Sequence, residues 1–208
     1  FQPIVNYAPS PTSTQVKAFD INRDGIMDIV ALAVGNLLVL PGHAGAWTAG
    51  GAEAFSVRPV NSGSGSYFTL ADTNSDGALD LLTCQTDPGR LNLSLGSAPT
   101  SNSFGTSAAY GSGYFGTNSP AAGDFNRDGV LDIVVGHQVT TSRIQVFLGN
   151  TGGTLTPLAA VVPGNAAPKS LVVADFNGDG LLDAACVHNG GVGVHLGDGT
   201  GGLGPFTN

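Results

Sequence analysis

The chain has 208 residues, of which 32 are Gly and only 11% are charged, with a formal net charge of −8. That composition suits short strands joined by many turns and excludes a helical bundle. The seven Lys and Arg residues form no cluster, which argues against nucleic acid as a partner, and no apolar run reaches the roughly 18 residues of a membrane span.

In chain order, residues 1–7 read as a lone strand. The string Asp-x-Asn-x-Asp-Gly-x-x-Asp then runs from Asp20 to Asp28. Strands are expected at 29–34, 37–40 and, after a longer loop, 55–60. The same string returns at 72–80, 124–132 and 175–183, in steps of 52, 52 and 51 residues. After the third copy, strands are expected at 133–135, 143–148 and 155–162. Around the fourth they fall at 170–174, 183–188 and 192–196, with a further strand beginning near Phe206. Phe55, Phe104, Leu155, Phe206 and Phe1 hold one corresponding place. Equal periods mean one array of units that bury their faces against each other. The expected fold is therefore all-β, a single domain over 1–208: a β-propeller of four four-stranded blades. Residues 1–7 would pair with 192–196 and close the ring, removing an exposed sheet edge. The alternatives are a segment of a seven- or eight-bladed propeller, or two chains completing one larger ring. No secretory signal is present, so the sequence reads as a mature or trimmed form, or a segment of something longer.

Of the fifteen acidic residues, twelve are the Asp residues of the four strings. Ligands at positions 1, 3, 5, 7 and 9 of such a loop can wrap one hard cation, and Ca²⁺ takes six to eight oxygens. The carboxylates would be Asp20, Asp24 and Asp28; Asp72, Asp76 and Asp80; Asp124, Asp128 and Asp132; and Asp175, Asp179 and Asp183. Position 3 supplies the carbonyls of Asn22, Asn74, Asn126 and Asn177. Position 7 supplies the backbone oxygens of Ile26, Ala78, Val130 and Leu181. Position 6 is Gly in every copy, as a turn with φ > 0 requires. Three crowded carboxylates would repel one another and raise their pKa values without a cation. Four dications would cancel the formal charge, and binding should stabilise the fold. An EF-hand is excluded, because its chelating Glu at position 12 is here Ala31, Thr83, Val135 or Cys186.

The four strings resemble the calcium loops of FG-GAP and VCBS-type repeats, found in integrin α-subunit propellers and in secreted bacterial proteins. Asp175 to Asp183 and the segment from Gly149 to Pro157 carry the likeness most closely. The resemblance implies about four Ca²⁺ ions, one per repeat, in a loop joining the first two strands of each blade. The family's Phe-Gly signature is nearly absent, with Phe115-Gly116 its nearest trace.

His137 and His188 fall at the same place in neighbouring repeats, where Gln85 stands in the second. With Trp47, they could line a sugar pocket, or they could be ordinary strand-end and loop residues packed on their own blades. Tyr110 and Tyr114 carry the same ambiguity. Cys84 and Cys186 sit in non-adjacent repeats and should be buried thiols outside any disulfide. Asn92 heads a glycosylation sequon inside an expected strand. No nucleophile elbow, phosphate loop or zinc-protease motif is present, so no enzyme activity is expected. The reading is a secreted or cell-surface, calcium-stabilised binding or adhesion module for a glycan or a protein surface. The competing readings are a structural repeat domain of a larger enzyme or adhesin, and a lyase or hydrolase propeller.

Overall fold

A computed structural model of the chain describes residues 15–33, 36–43, 56–59, 67–85, 89–97, 103–111, 117–137, 143–161, 168, 170–188 and 191–207. Four antiparallel sheets of four strands each follow the four repeats. The first is β1 (Gln15–Phe19), β2 (Asp28–Ala33), β3 (Asn36–Leu40) and β4 (Ser56–Pro59). The second is β5 (Tyr67–Ala71), β6 (Asp80–Gln85), β7 (Arg90–Ser94) and β8 (Ala108–Gly111). The third is β9 (Thr117–Gly123), β10 (Asp132–His137), β11 (Arg143–Leu148) and β12 (Thr156–Pro157). The fourth is β13 (Ser170–Ala174), β14 (Asp183–His188), β15 (Gly191–Gly197) and β16 (Leu203–Thr207). Within every sheet the strands pair in chain order. These are blade-like units, and the fold is that of a β-propeller; among the described residues there is no helix.

Apolar runs explain the strands. The second strands, and the third strands of the first three sheets, are buried along most of their length, for example Leu37 to Leu40 and Ile133 to Val135. Continuous burial of this kind belongs to strands covered on both faces. The outer strands β4, β12 and β16 contain Pro59, Pro157 and Pro205, which blunt an edge by removing a ladder donor. In β9 the ladder slips between its pairs with Val134 and Gly136, where Pro120 has no N–H to give.

The sheets stack in sequence, each through one type of contact. The forward face of the first sheet (Val30, Leu32, Leu37, Val39) meets Phe68, Leu70 and Leu81 on the back face of the second. The forward face of the second (Leu82, Cys84, Leu91, Leu93) meets Ile133, Val135 and Phe147 of the third. Val134, Ile144 and Val146 of the third meet Leu171, Ala184 and Cys186 of the fourth. The first strands lie side by side at the centre of this array, as Gln15 shows by accepting the Phe68 backbone N–H at 2.8 Å.

One expectation needs correction. The place beside residues 192–196, reserved above for the N-terminal strand, is taken by β16: Val194 pairs with Thr207 and His195 with Phe206. The loop Gly197–Gly202 is short enough to return β16 directly, because Asp198 ties it. Its Oδ1 accepts the N–H groups of Thr200 and Gly202 at 2.8 and 3.0 Å. Residues 1–7, and with them ring closure, lie outside the described residues.

Candidate metal centre

Each acidic loop joins the first strand of a sheet to the second, so all four stand at the same end of the array. Their geometry is nearly identical. In the second loop, Asp72 accepts the N–H of Asp76 on Oδ1 at 3.1 Å and that of Gly77 on Oδ2 at 2.9 Å. Asn74 Oδ1 accepts the same Asp76 N–H at 3.2 Å. Asp76 in turn accepts the Ala78 N–H at 2.7 Å and the Asn74 side-chain amide at 2.9 Å. The first and third loops repeat this set. In the fourth, Gly178 donates to Asp175 Oδ1 at 2.7 Å. For the exposed Asp175, the Gly180 N–H chiefly holds the carboxyl below the usual range.

The turn itself requires left-handed backbone at two places. Position 6 is Gly with φ between 82° and 89°, although Gly25 and Gly129 face open space. The need is therefore conformational, not steric. Position 4 is also left-handed, at Arg23, Ser75 and Arg127 with φ of 57° to 62°. The spacing of the motif does not reveal this; the one signal is Gly178 at that position in the fourth copy. From there Arg127 reaches the next loop and donates to the Gly180 carbonyl at 2.6 Å.

Position 9 behaves differently from positions 1 and 5. Asp28, Asp80, Asp132 and Asp183 are buried. In each, Oδ2 accepts the N–H of position 2, and Oδ1 accepts the N–H of a glycine at the end of the third strand. That glycine (Gly42, Gly96, Gly149 or Gly197) rests on the carbonyl of position 8, and a Cβ there would collide with it. The third Asp of each loop is thus a clasp between loop and third strand. Among the described residues no three Asp, Glu, His or Cys side chains converge tightly enough to hold an ion by themselves. The solvent-facing cluster consists of the Asp, Asn and Asp at positions 1, 3 and 5 of each loop, of which positions 1 and 3 are half-buried in the first three loops. In three loops the oxygens of positions 1 and 3 crowd upon one N–H, so acceptor oxygen exceeds donor supply. An all-oxygen set of this kind fits a hard dication. Asp80 and Asp132 are held above the usual range, but burial is the main cause and repulsion from Asp76 or Asp128 a minor one.

Of the residues that could line a sugar pocket at the far strand ends, only Gln85 and His137 have described side chains. His137 is fully buried beside Gln145, which fits the reading of a strand-end residue packed on its own blade and not a pocket lining. Gln85 is half-buried at the end of β6. His188 ends β14; its side chain, Trp47 and Tyr114 lie outside what the structure describes. Cys84 and Cys186 are buried thiols outside any disulfide, as expected. Asn92, of the sequon, is buried within β7. His195, for which the sequence offers no signal, is buried with Nδ1 at 2.9 Å from the Gly204 carbonyl.

Burial pushes the His137 imidazole down to about 4, with Gln145 opposing and the Arg143 charge adding to the shift. The unfolded chain therefore binds a proton that the folded chain refuses. The contribution of a neutral His137 is complete above about pH 6.5 and is lost as pH falls towards 4, at a cost of about 2–3 kcal/mol. Urea denaturation of His137→Gln at pH 7 and pH 4.5 should show a smaller loss of stability on acidification than the parent, by about 2 kcal/mol. The raised carboxyls of Asp80 and Asp132 act with the opposite sign, gaining stability as pH falls, and cancel in the comparison.

The FG-GAP-like repeat model matches residues 72–135 and 138–186. The chain belongs to the FG-GAP-like repeat family. No curated protein matches it. A solved structure, described as the structural basis of specific recognition of non-reducing terminal N-acetylglucosamine by an Agrocybe aegerita lectin, is similar with a TM-score of 0.60 at 20% identity. The match covers 93% of this FG-GAP-like repeat protein and 51% of that chain, so the protein spans about half its length. At that identity the likeness is one of fold.

Proposed function

We propose that this FG-GAP-like repeat protein is a non-catalytic, calcium-stabilised binding module that acts outside the cell and recognises glycans. The observation that carries the reading is the fourfold repetition of one solvent-facing oxygen cluster, from the Asp, Asn and Asp at positions 1, 3 and 5, on a turn pre-set by backbone N–H donors. Those residues, with the position 7 carbonyl, would hold the ion; its charge would neutralise the two carboxylates and tie the turn together. Extracellular calcium modules work with Kd on the order of 10⁻⁴–10⁻³ M, which suits permanent occupancy in that compartment. The glycan reading is supported by the lectin whose fold this chain shares.

The test is a glycan array run in calcium and again in chelator, with N-acetylglucosamine-terminated glycans included. Retention on a defined set of sugars in calcium, lost in chelator, is the expected result. A folded, calcium-loaded protein that retains no sugar would remove the glycan reading and leave a structural repeat domain.

A further inference from the structure

The fourth acidic loop departs from the other three at one residue. Position 4 is Arg23, Ser75 and Arg127 in the first three and Gly178 in the fourth. All four have left-handed backbone, with φ of 57°, 59°, 62° and 78°. The fourth loop alone therefore places a glycine directly after the position 3 asparagine, as Asn177-Gly178. One other Asn-Gly step, at 189–190, lies outside the described residues.

The glycine also changes the hydrogen bonds. In the first three loops Oδ1 of position 1 and Oδ1 of position 3 both accept the position 5 N–H, at 3.0–3.2 Å. In the fourth, Asp175 Oδ1 accepts the Gly178 N–H at 2.7 Å. Asn177 Oδ1 accepts the Asp179 N–H at 2.9 Å, and Asn177 Nδ2 donates to Asp179 Oδ2 at 2.8 Å. These contacts surround the Asn177 side-chain amide. The Gly178 nitrogen is the nucleophile that can close a succinimide ring on Asn177 Cγ, and glycine carries no Cβ to hinder the closure. Its N–H already rests on a carboxylate, within the distance at which a base takes up a proton as a bond forms. The Asp179 N–H sits on the carbonyl oxygen that gains negative charge.

We infer that Asn177 is a deamidation site of the folded protein. The Gly178 nitrogen bonds to Asn177 Cγ, the Cγ–Nδ2 bond breaks, and the Gly178 proton leaves with Nδ2 as ammonia. Water then opens the cyclic imide. Opening at Cγ gives aspartate; opening at the main-chain carbonyl gives isoaspartate, with the backbone routed through the side chain. Either product adds a negative charge at position 3. Isoaspartate also lengthens the main chain by a methylene inside the turn, so the fourth loop loses the geometry that the other three keep. The step needs no metal and stands apart from the calcium reading.

The parent protein is held in mildly alkaline buffer with chelator, its fold followed by circular dichroism, and sampled over time for peptide mapping. Asn177 should convert several-fold faster than Asn22, Asn74 and Asn126, each event adding about one dalton. Its product should contain both isoaspartate and aspartate. Hydroxylamine, which cleaves a cyclic imide, should cut the chain between residues 177 and 178. Gly178→Ser should bring Asn177 down to the rate of Asn74. The fold should tolerate it, since Ser75 holds the same left-handed place in the second loop and a Cβ on Gly178 would meet open space. Gly178→Arg, matching Arg127 of the third loop, is the second such variant. An Asn177 that converts no faster than the other three would overturn the inference. So would a rate that neither variant lowers, or a product of aspartate alone, which would mean direct hydrolysis.

Discussion

Replacing Asp80 with Ala should unfold the second sheet whether or not calcium is present. Its carboxylate accepts the Thr73 N–H at 2.8 Å, the Thr73 hydroxyl and the Gly96 N–H at 2.9 Å. Truncation leaves all three donors in a buried place with nothing to bond. Each unpaired donor costs about 1–3 kcal/mol, and the site cannot rewater without opening the sheet. A total of about 3–5 kcal/mol is a large part of the roughly 5–15 kcal/mol that holds a domain folded. Asp76→Ala is the contrast. That residue is exposed and its partners can turn to water, so without calcium it should cost about 1 kcal/mol. Urea denaturation of both variants in chelator separates them. Equal losses would mean that position 9 is no clasp.

Chelation should lower the melting temperature of the parent protein by about 10–20 °C. At a calcium concentration ten times Kd, one site contributes about 1.4 kcal/mol. Four sites on one cooperative fold contribute roughly four times that, and a domain of this size shifts by about 2–4 °C per kcal/mol. The effect should be absent with EDTA already saturated by calcium. Asp76→Ala should retain about three quarters of it. A melting temperature indifferent to chelator would leave the crowded oxygens of positions 1 and 3 without the partner that their arrangement calls for.

Much of the fold was legible because the sequence repeats. The strands 143–148, 170–174 and 183–188 are found where their apolar runs place them. Others differ by a residue or two, since the pairing of Asp28 with Phe19 or Asn36 with Ala33 extends a strand into its polar flank. Phe104 makes only an isolated bridge to Gly96, and the outer strand of that sheet begins at Ala108. An aromatic residue marks burial, not pairing, and Phe104 packs against the core between the first two sheets. The fourth strand of the last sheet starts earlier than Phe206, at Leu203. The Gly-rich turn 197–202 looks loose in sequence, but the Asp198 side chain fixes it.

The loops were legible in composition but not in division of labour. Spacing treats Asp72, Asp76 and Asp80 alike. Only the fold shows that Asp80 begins a buried strand and meets Gly96, sixteen residues away in sequence. His137 and Gln85 share a repeat position, yet one is buried and the other half-exposed. Each pairs with an Arg across the sheet, Arg143 and Arg90, so neither the repeat position nor the cross-strand partner tells them apart.

Counting calcium by equilibrium dialysis against a calcium-buffered solution tests the central claim most directly. The account predicts four ions per chain, three for Asp128→Ala, and three for Asp76→Ala. A parent protein that holds none, or one whose count is unmoved by either substitution, would contradict it.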